Sequence, residues 1–149
     1  MLAILKDAGS RPDLFHWFGS IEREQVELWL RSSSLEVPSD LLDFWTQTGG
    51  GDFFEAETMF RPTPIPSPVP YFVPGDDIDT ANQQRIRHGM SKAYLAFHDG
   101  IFLSAVRLAD QKLVTMNEEH EESAVFADLD DWYLRTLRAL YATHYRLVT

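Results

Sequence analysis

The sequence predicts an α+β single domain with an antiparallel or mixed central sheet flanked by N-terminal and C-terminal helices. Three observations carry that prediction. Amphipathic helical patterns lie toward both ends of the chain, short strand patterns cluster between them, and an Asp-Gly turn joins two of those strands. The 149 residues, 44% of them hydrophobic, suit one domain with a sizeable core. No internal repeat or linker divides them, so residues 1–149 are expected to fold as one unit.

Residues 1–19 read as loosely structured, with Leu14, Phe15, Trp17 and Phe18 as an aromatic anchor. Ser20 can cap a first helix to about Ser33 that carries Ile21, Val26, Trp29 and Leu30. Val37-Pro38 leads into a second helix whose start, Ser39-Asp40, offers short capping oxygens. Leu41, Phe44, Trp45 and Thr48 fall on one face of it. Gly49, Gly50 and Gly51 stop it, because glycine enters the left-handed region without penalty. Phe53 to Phe60 then suits a strand.

Residues 62–75 form a proline-rich loop: six of the eight prolines lie between Pro62 and Pro74, all at even positions. No two are three apart, so the P-x-x-P ligand pattern is absent, and the missing N–H donors favour an extended edge or surface loop. Asp76 or Asp77 caps a short helix through Ile86, ended near Gly89. Strands are expected at Ala93–Phe97, Ile101–Leu108 and Lys112–Met116, with His98-Asp99-Gly100 turning the first into the second. The run Asn117–Glu122 reads as a turn or loop. Asp128 caps a last helix striped by Leu129, Trp132, Tyr133, Leu137, Leu140 and Tyr141.

Composition narrows function. A net charge of −10 repels nucleic acid over most of the surface. With no cysteine, the chain has no disulfide, thiolate metal site or cysteine nucleophile. No apolar run is long enough to span a membrane. The start MLAILKDAGSRPD has no basic leader before its short apolar run, which predicts no secretory signal and a cytoplasmic protein. The acidic residues are unevenly placed. Glu36, Asp40, Asp43, Asp52, Glu55 and Glu57 occur between Ser32 and Phe60 without a Lys or Arg. Glu118, Glu119, Glu121, Glu122, Asp128, Asp130 and Asp131 do the same between Leu113 and Leu134. Such runs either keep a face solvated or steer a basic partner.

Catalytic and metal-binding patterns fare poorly. Glu118 to Glu122, with His120 among them, could hold a hard cation, but the spacing fits no EF-hand loop and a solvated turn explains it better. His98-Asp99 could orient acid–base chemistry, yet the Asp-Gly hairpin already accounts for it. His16, His88 and His144 lack H-E-x-x-H spacing, and the glycines at 49–51 follow a helix where a phosphate loop precedes one. Ser104 sits in no G-x-S-x-G elbow. The expectation is a non-catalytic chain with neither metal nor cofactor.

The ordered set Val37-Pro38, the helix Asp40 to Thr48, Gly49-Gly50-Gly51 and Phe53-Phe54 resembles the SUKH superfamily of bacterial immunity proteins and fungal cell-wall-assembly regulators. The resemblance extends through Ala96-Phe97-His98-Asp99-Gly100 and Asn117-Glu118-Glu119-His120-Glu121 to Phe126–Trp132, covering roughly Ser20 to Arg138. Thr48 stands where many members carry Asn, and Ile101-Phe102 follow the Asp-Gly turn where members often have glycine or an acidic residue. The resemblance implies a stoichiometric protein-binding function, an immunity protein that blocks a cognate toxin, frequently a nuclease with a basic site. Partner-binding candidates are Asp52, Glu55, Glu57, Glu118, Glu119, Glu121 and Glu122, with Tyr71 or Phe72 as an aromatic anchor. A regulatory scaffold without a toxin partner, and a small-molecule-binding or enzymatic domain, are the alternatives.

Overall fold

The computed structural model describes residues 1–62 and 64–148, and seven of its strands pair in the order they occur along the chain. Strands β1 (Phe15–Trp17), β2 (Gly51–Phe53), β3 (Glu57–Met59) and β4 (Tyr94–Asp99) are followed by β5 (Leu103–Arg107), β6 (Lys112–Met116) and β7 (Glu122–Phe126). Every neighbouring pair is antiparallel. Helices α1 (Ala3–Ser10), α2 (Arg23–Ser32) and α3 (Ser39–Thr48) surround β1 in sequence. Helix α4 (Ile78–Arg87) lies between β3 and β4, and α5 (Leu129–Arg135) and α6 (Leu137–Tyr145) close the chain. The chain is a single mixed α+β domain, as the sequence predicts.

Helix α3 shows how local sequence becomes tertiary structure. Leu41, Phe44, Trp45 and Thr48 are its buried face, and Gly49 ends it at φ 70° with its N–H on Trp45 O at 2.8 Å. Trp45 stands edge-on to Trp29 and donates its indole N–H to Phe60 O at 3.0 Å. Gly49 is required twice over, since a Cβ there would lie 1.9 Å from Gly19 O and 2.1 Å from an Arg61 guanidinium nitrogen. The start of α3 differs from expectation. Pro38 is the cap residue and Asp40 turns away to accept the N–H of Leu129 at 2.7 Å. That carboxylate ties α3 to the first turn of α5, 89 residues later.

Several boundaries move. The loosely structured segment expected at residues 1–19 carries α1 and β1, because its partners come from the far end of the chain. Asp130 accepts the Ala3 N–H at 2.8 Å, and buried Asp7 accepts from Tyr133 at 2.6 Å and from Arg138 at 2.8 Å. Helix α2 starts after Glu22 rather than at Ser20. The single strand expected at Phe53–Phe60 is a tight hairpin, β2–β3, turned by Phe54 and Glu55 at φ 50° and 69°. The last helix breaks at Thr136, so that α6 can bring Tyr141 and Tyr145 over the Phe54 ring. Asp77, and not Asp76, caps α4, its carboxylate accepting from Thr80 N at 3.2 Å. In the proline-rich loop, residues 62 and 64–73 contain no strand, and Thr63 lies outside the described residues.

Candidate functional site

A sheet whose strands run in chain order places alternate connections at the same end. The register fixes which ones: Thr58 faces Asp99 and Leu103 faces Met116, so the β2–β3, β4–β5 and β6–β7 turns share one end of the sheet. The first and last of these turns are four strands apart, about 19 Å at the usual strand spacing. The two acidic runs of the sequence therefore meet on one rim, with the Asp99-Gly100 turn between them.

The rim is narrower in charge than the sequence suggests, because most acidic residues serve the fold. Asp43 pairs with Arg23 at 2.9 Å, and Asp128 caps α5 through Asp131 N at 2.8 Å. Asp131 accepts from Ala127 N at 2.9 Å and lies 3.3 Å from Arg135. Glu122, a candidate binding residue, is clamped at 3.0 and 2.6 Å by Arg107 and accepts the Tyr94 hydroxyl. The Arg107 contact is the main reason its carboxyl titrates below the usual range.

Glu57 departs furthest from expectation. It is 1% exposed and cannot meet a partner on a surface. Its place in β3, opposite Phe53, turns it under the β4–β5 turn, where a Cβ on Gly100 would lie 2.0 Å from its Oε1.

What remains outward is Glu55, Glu118, Glu119 and Glu121, with half-buried Asp52 behind them. Asn117 shapes the second cluster: its Oδ1 accepts the N–H groups of Glu119 and Glu121 at 3.0 and 2.9 Å, and His120 enters the left-handed region at φ 60°. Glu118 and Glu119 then project without a side-chain partner among the described residues. Glu118 lines a shallow cleft with Arg85 and Asp99, which form an ion pair.

Sequence reasoning missed Asp76 as a member of this rim. It lines a second shallow cleft with Thr58, Asp99 and Gly100. Burial, and then the charge of Asp52, push its carboxyl up to about 6. Asp52 itself accepts the Thr58 hydroxyl at 2.8 Å. The sequence offers Asp76 only as a possible helix cap, and the neighbouring Asp77 holds that role, which frees Asp76 for the cleft. The suggested aromatic anchors are partly spoken for: Tyr71 donates to Trp17 O at 2.6 Å, and Phe72 packs edge-on to Phe18.

Beneath the rim lies a chain of groups that the sequence did not bring together. Ser104 Oγ is 2.9 Å from His98 Nδ1, and His98 Nε2 is 2.8 Å from Glu57 Oε1. That is the order of nucleophile, base and orienter in a serine hydrolase. Here it is sealed: Ser104 and His98 expose no surface, and Trp132 Nε1 donates to Ser104 Oγ at 2.9 Å. In this conformation the hydroxyl has no path to a substrate, and its acceptor position is occupied. The far end is tied down as well, by the Tyr141 hydroxyl 2.7 Å from Glu57 Oε2 and by Ile101 N–H at 3.3 Å. Burial pushes the Glu57 carboxyl up, but the hydrogen bonds from His98 and Tyr141 outweigh it and hold the group below its usual value. The array fixes the β4–β5 turn, α5 and α6 to one point under the acidic rim.

No family model matches the chain, and no curated protein matches it either. No helix among the described residues is long and apolar enough to cross a membrane, and no group of three or more of their His, Asp and Glu side chains is placed to hold a metal ion.

Proposed function

We propose that this chain is a cytoplasmic, non-catalytic protein-binding module of the SUKH type, an immunity protein that neutralises a toxin by stoichiometric binding through its acidic rim. The observation that carries the proposal is the convergence of Glu55 with Glu118, Glu119 and Glu121 on one end of the sheet, with the carboxylates of Glu118 and Glu119 unpaired among the described residues. Carboxylates already held by arginines would have little charge left to offer; these have it. The rim is about 19 Å long and is backed by the sheet, and a surface of one charge sign steers a partner of the opposite sign.

The element order supports the same reading: a helix closed by glycine, an aromatic hairpin, a strand turning at Asp99-Gly100 and a terminal helix opened by Asp128. The sealed Ser104 hydroxyl favours binding over hydrolysis. The test is co-expression with the product of the adjacent gene, followed by mixing of the purified proteins. Growth rescue and a complex weakened by salt are expected. Reversing charge at Glu118, Glu119 and Glu121 should slow association by about ten-fold or more. Unchanged association rate and affinity would remove the rim from the proposal.

A further inference from the structure

The β4–β5 turn, Gly100–Phe102, is the middle one of the three turns on the acidic rim, and its apex is apolar. Turn tips usually carry small or polar residues that bond their own backbone or face water. Here Ile101 is 60% exposed. It stands between the β2–β3 turn, which presents Glu55, and the β6–β7 turn, which presents Glu118, Glu119 and Glu121.

The backbone beneath that side chain is fixed from below. Ile101 donates its N–H to the buried Glu57 carboxylate at 3.3 Å, and Asp99 Oδ1 accepts the Gly100 N–H at 2.9 Å. His98 Nε2 and the Tyr141 hydroxyl hold the same carboxylate, at 2.8 and 2.7 Å. A turn held this firmly loses little freedom when its tip is covered. Beside the tip an open groove of about 490 Å³ lies between Ile101 and Leu140, a residue 51% exposed on α6. Phe102, Ala124 and Phe126 add to its apolar wall. Among the described residues lining it, only Arg135 is charged, and that guanidinium lies 3.3 Å from Asp131.

We infer that Ile101 is the apolar anchor of the partner-binding surface, and that the groove between Ile101 and Leu140 receives an apolar side chain of the partner. The charge around the groove selects that partner. An acidic surface would be repelled by the unpaired carboxylates of Glu118 and Glu119, and a wholly apolar one would bury them without partners. An apolar side chain ringed by Lys or Arg satisfies both the groove and the rim. The inference rests on the protein-binding reading and adds to it a division of labour. The rim carboxylates set the rate of approach, whereas the apolar centre, from which water is excluded, sets how long the complex lasts.

The experiment uses the intact chain against the immobilised product of the adjacent gene, with both rate constants read by surface plasmon resonance. Ile101→Ser should raise the dissociation rate by about ten-fold or more and leave the association rate and its salt dependence as in wild type. Leu140→Ser, on a separate element, should shift dissociation in the same direction, so the result does not depend on how one variant folds. Both side chains are more than half exposed, and thermal melting should stay unchanged. Leu28→Ser removes a comparably exposed side chain from α2, at a different cleft, and should alter neither rate. Charge reversal at Glu118, Glu119 and Glu121 should instead slow association. A wild-type chain that does not bind removes the protein-binding reading and the anchor with it. A complex that responds to charge reversal but dissociates no faster after Ile101→Ser, or equally fast after Leu28→Ser, leaves that reading standing and overturns the anchor alone.

Discussion

Glu57 Oε1 lies 2.8 Å from His98 Nε2, and neither side chain exposes any surface. A buried carboxylate is costly unless its oxygens are satisfied, and here Tyr141 and Ile101 N–H complete the set. Glu57→Gln keeps the shape but places an amide N–H₂ against groups that are themselves donors. The expected cost is about 1–3 kcal/mol, the usual penalty for a buried polar group left without a partner, read as a lower urea midpoint. Unchanged stability would mean that the array is not held together by the carboxylate.

The same residue sets an acid limit on the fold. Its folded-state carboxyl titrates below the ordinary value of 4.5, so the ionised form stabilises the protein at every pH above that value. The stabilisation is lost as pH falls from 4.5 through the lower folded value. Urea titrations through this window should show wild type losing stability more steeply than Glu57→Gln. Parallel slopes would contradict the assignment.

The helix closed by glycine was legible because its signals are local: a repeat of apolar residues, then three glycines. The strands at 94–99, 103–107 and 112–116 were legible as short apolar runs near an Asp-Gly pair, although His98 and Asp99 belong to β4 and the turn itself falls at Gly100–Phe102. What escaped the sequence is what depends on distant partners. Asp7 and Asp130 order the N-terminal helix through residues more than 120 positions away. The β2–β3 turn puts Phe54 and Glu55 in the left-handed region, which no glycine or asparagine announces. β7 was hidden because its first residue, Glu122, closes the acidic run that reads as a turn. On the rim, Glu55, Glu118, Glu119 and Glu121 are exposed, whereas Glu57 is buried against His98 and Glu122 is held by Arg107. Charge counting cannot see a partner that arrives through the fold.

Arg61 is another buried ion, 2% exposed. Its guanidinium donates to the carbonyls of Gly19 and Pro66 at 2.7 Å and of Ile65 at 2.8 Å, joining the segment after β1 to the proline-rich loop. A lysine ammonium cannot span these three directions. Arg61→Lys should lower stability by about 1.5–3 kcal/mol, the range for a lost charge-assisted bond, and increase proteolysis in the loop near Pro66. Gly49→Ala should be at least as damaging, because its Cβ would meet Gly19 O and Arg61 together.

Lysine at Glu118 and at Glu119 should behave differently. Neither carboxylate has a side-chain partner among the described residues, so stability should change by no more than about 0.5 kcal/mol. A larger loss by thermal melting would show that the turn needs those charges for its own folding.

Asp76 gives the opposite pH signature to Glu57. Its carboxyl is pushed up to about 6, from an ordinary value of 3.8, by burial and by Asp52. A raised folded value means that the protonated form is the one the fold favours, so this group's contribution is full below 3.8 and is lost as pH rises through about 6. At neutral pH the ionised Asp76 opposes folding. Asp76→Asn removes that opposition while keeping the size of the side chain, and should raise the urea midpoint at neutral pH. The gain should shrink toward zero as pH falls below the ordinary carboxyl value, where the wild-type group is already protonated in both states. An equal gain at every pH would assign the effect to packing; no gain at neutral pH would show that neither burial nor Asp52 disfavours the ionised Asp76.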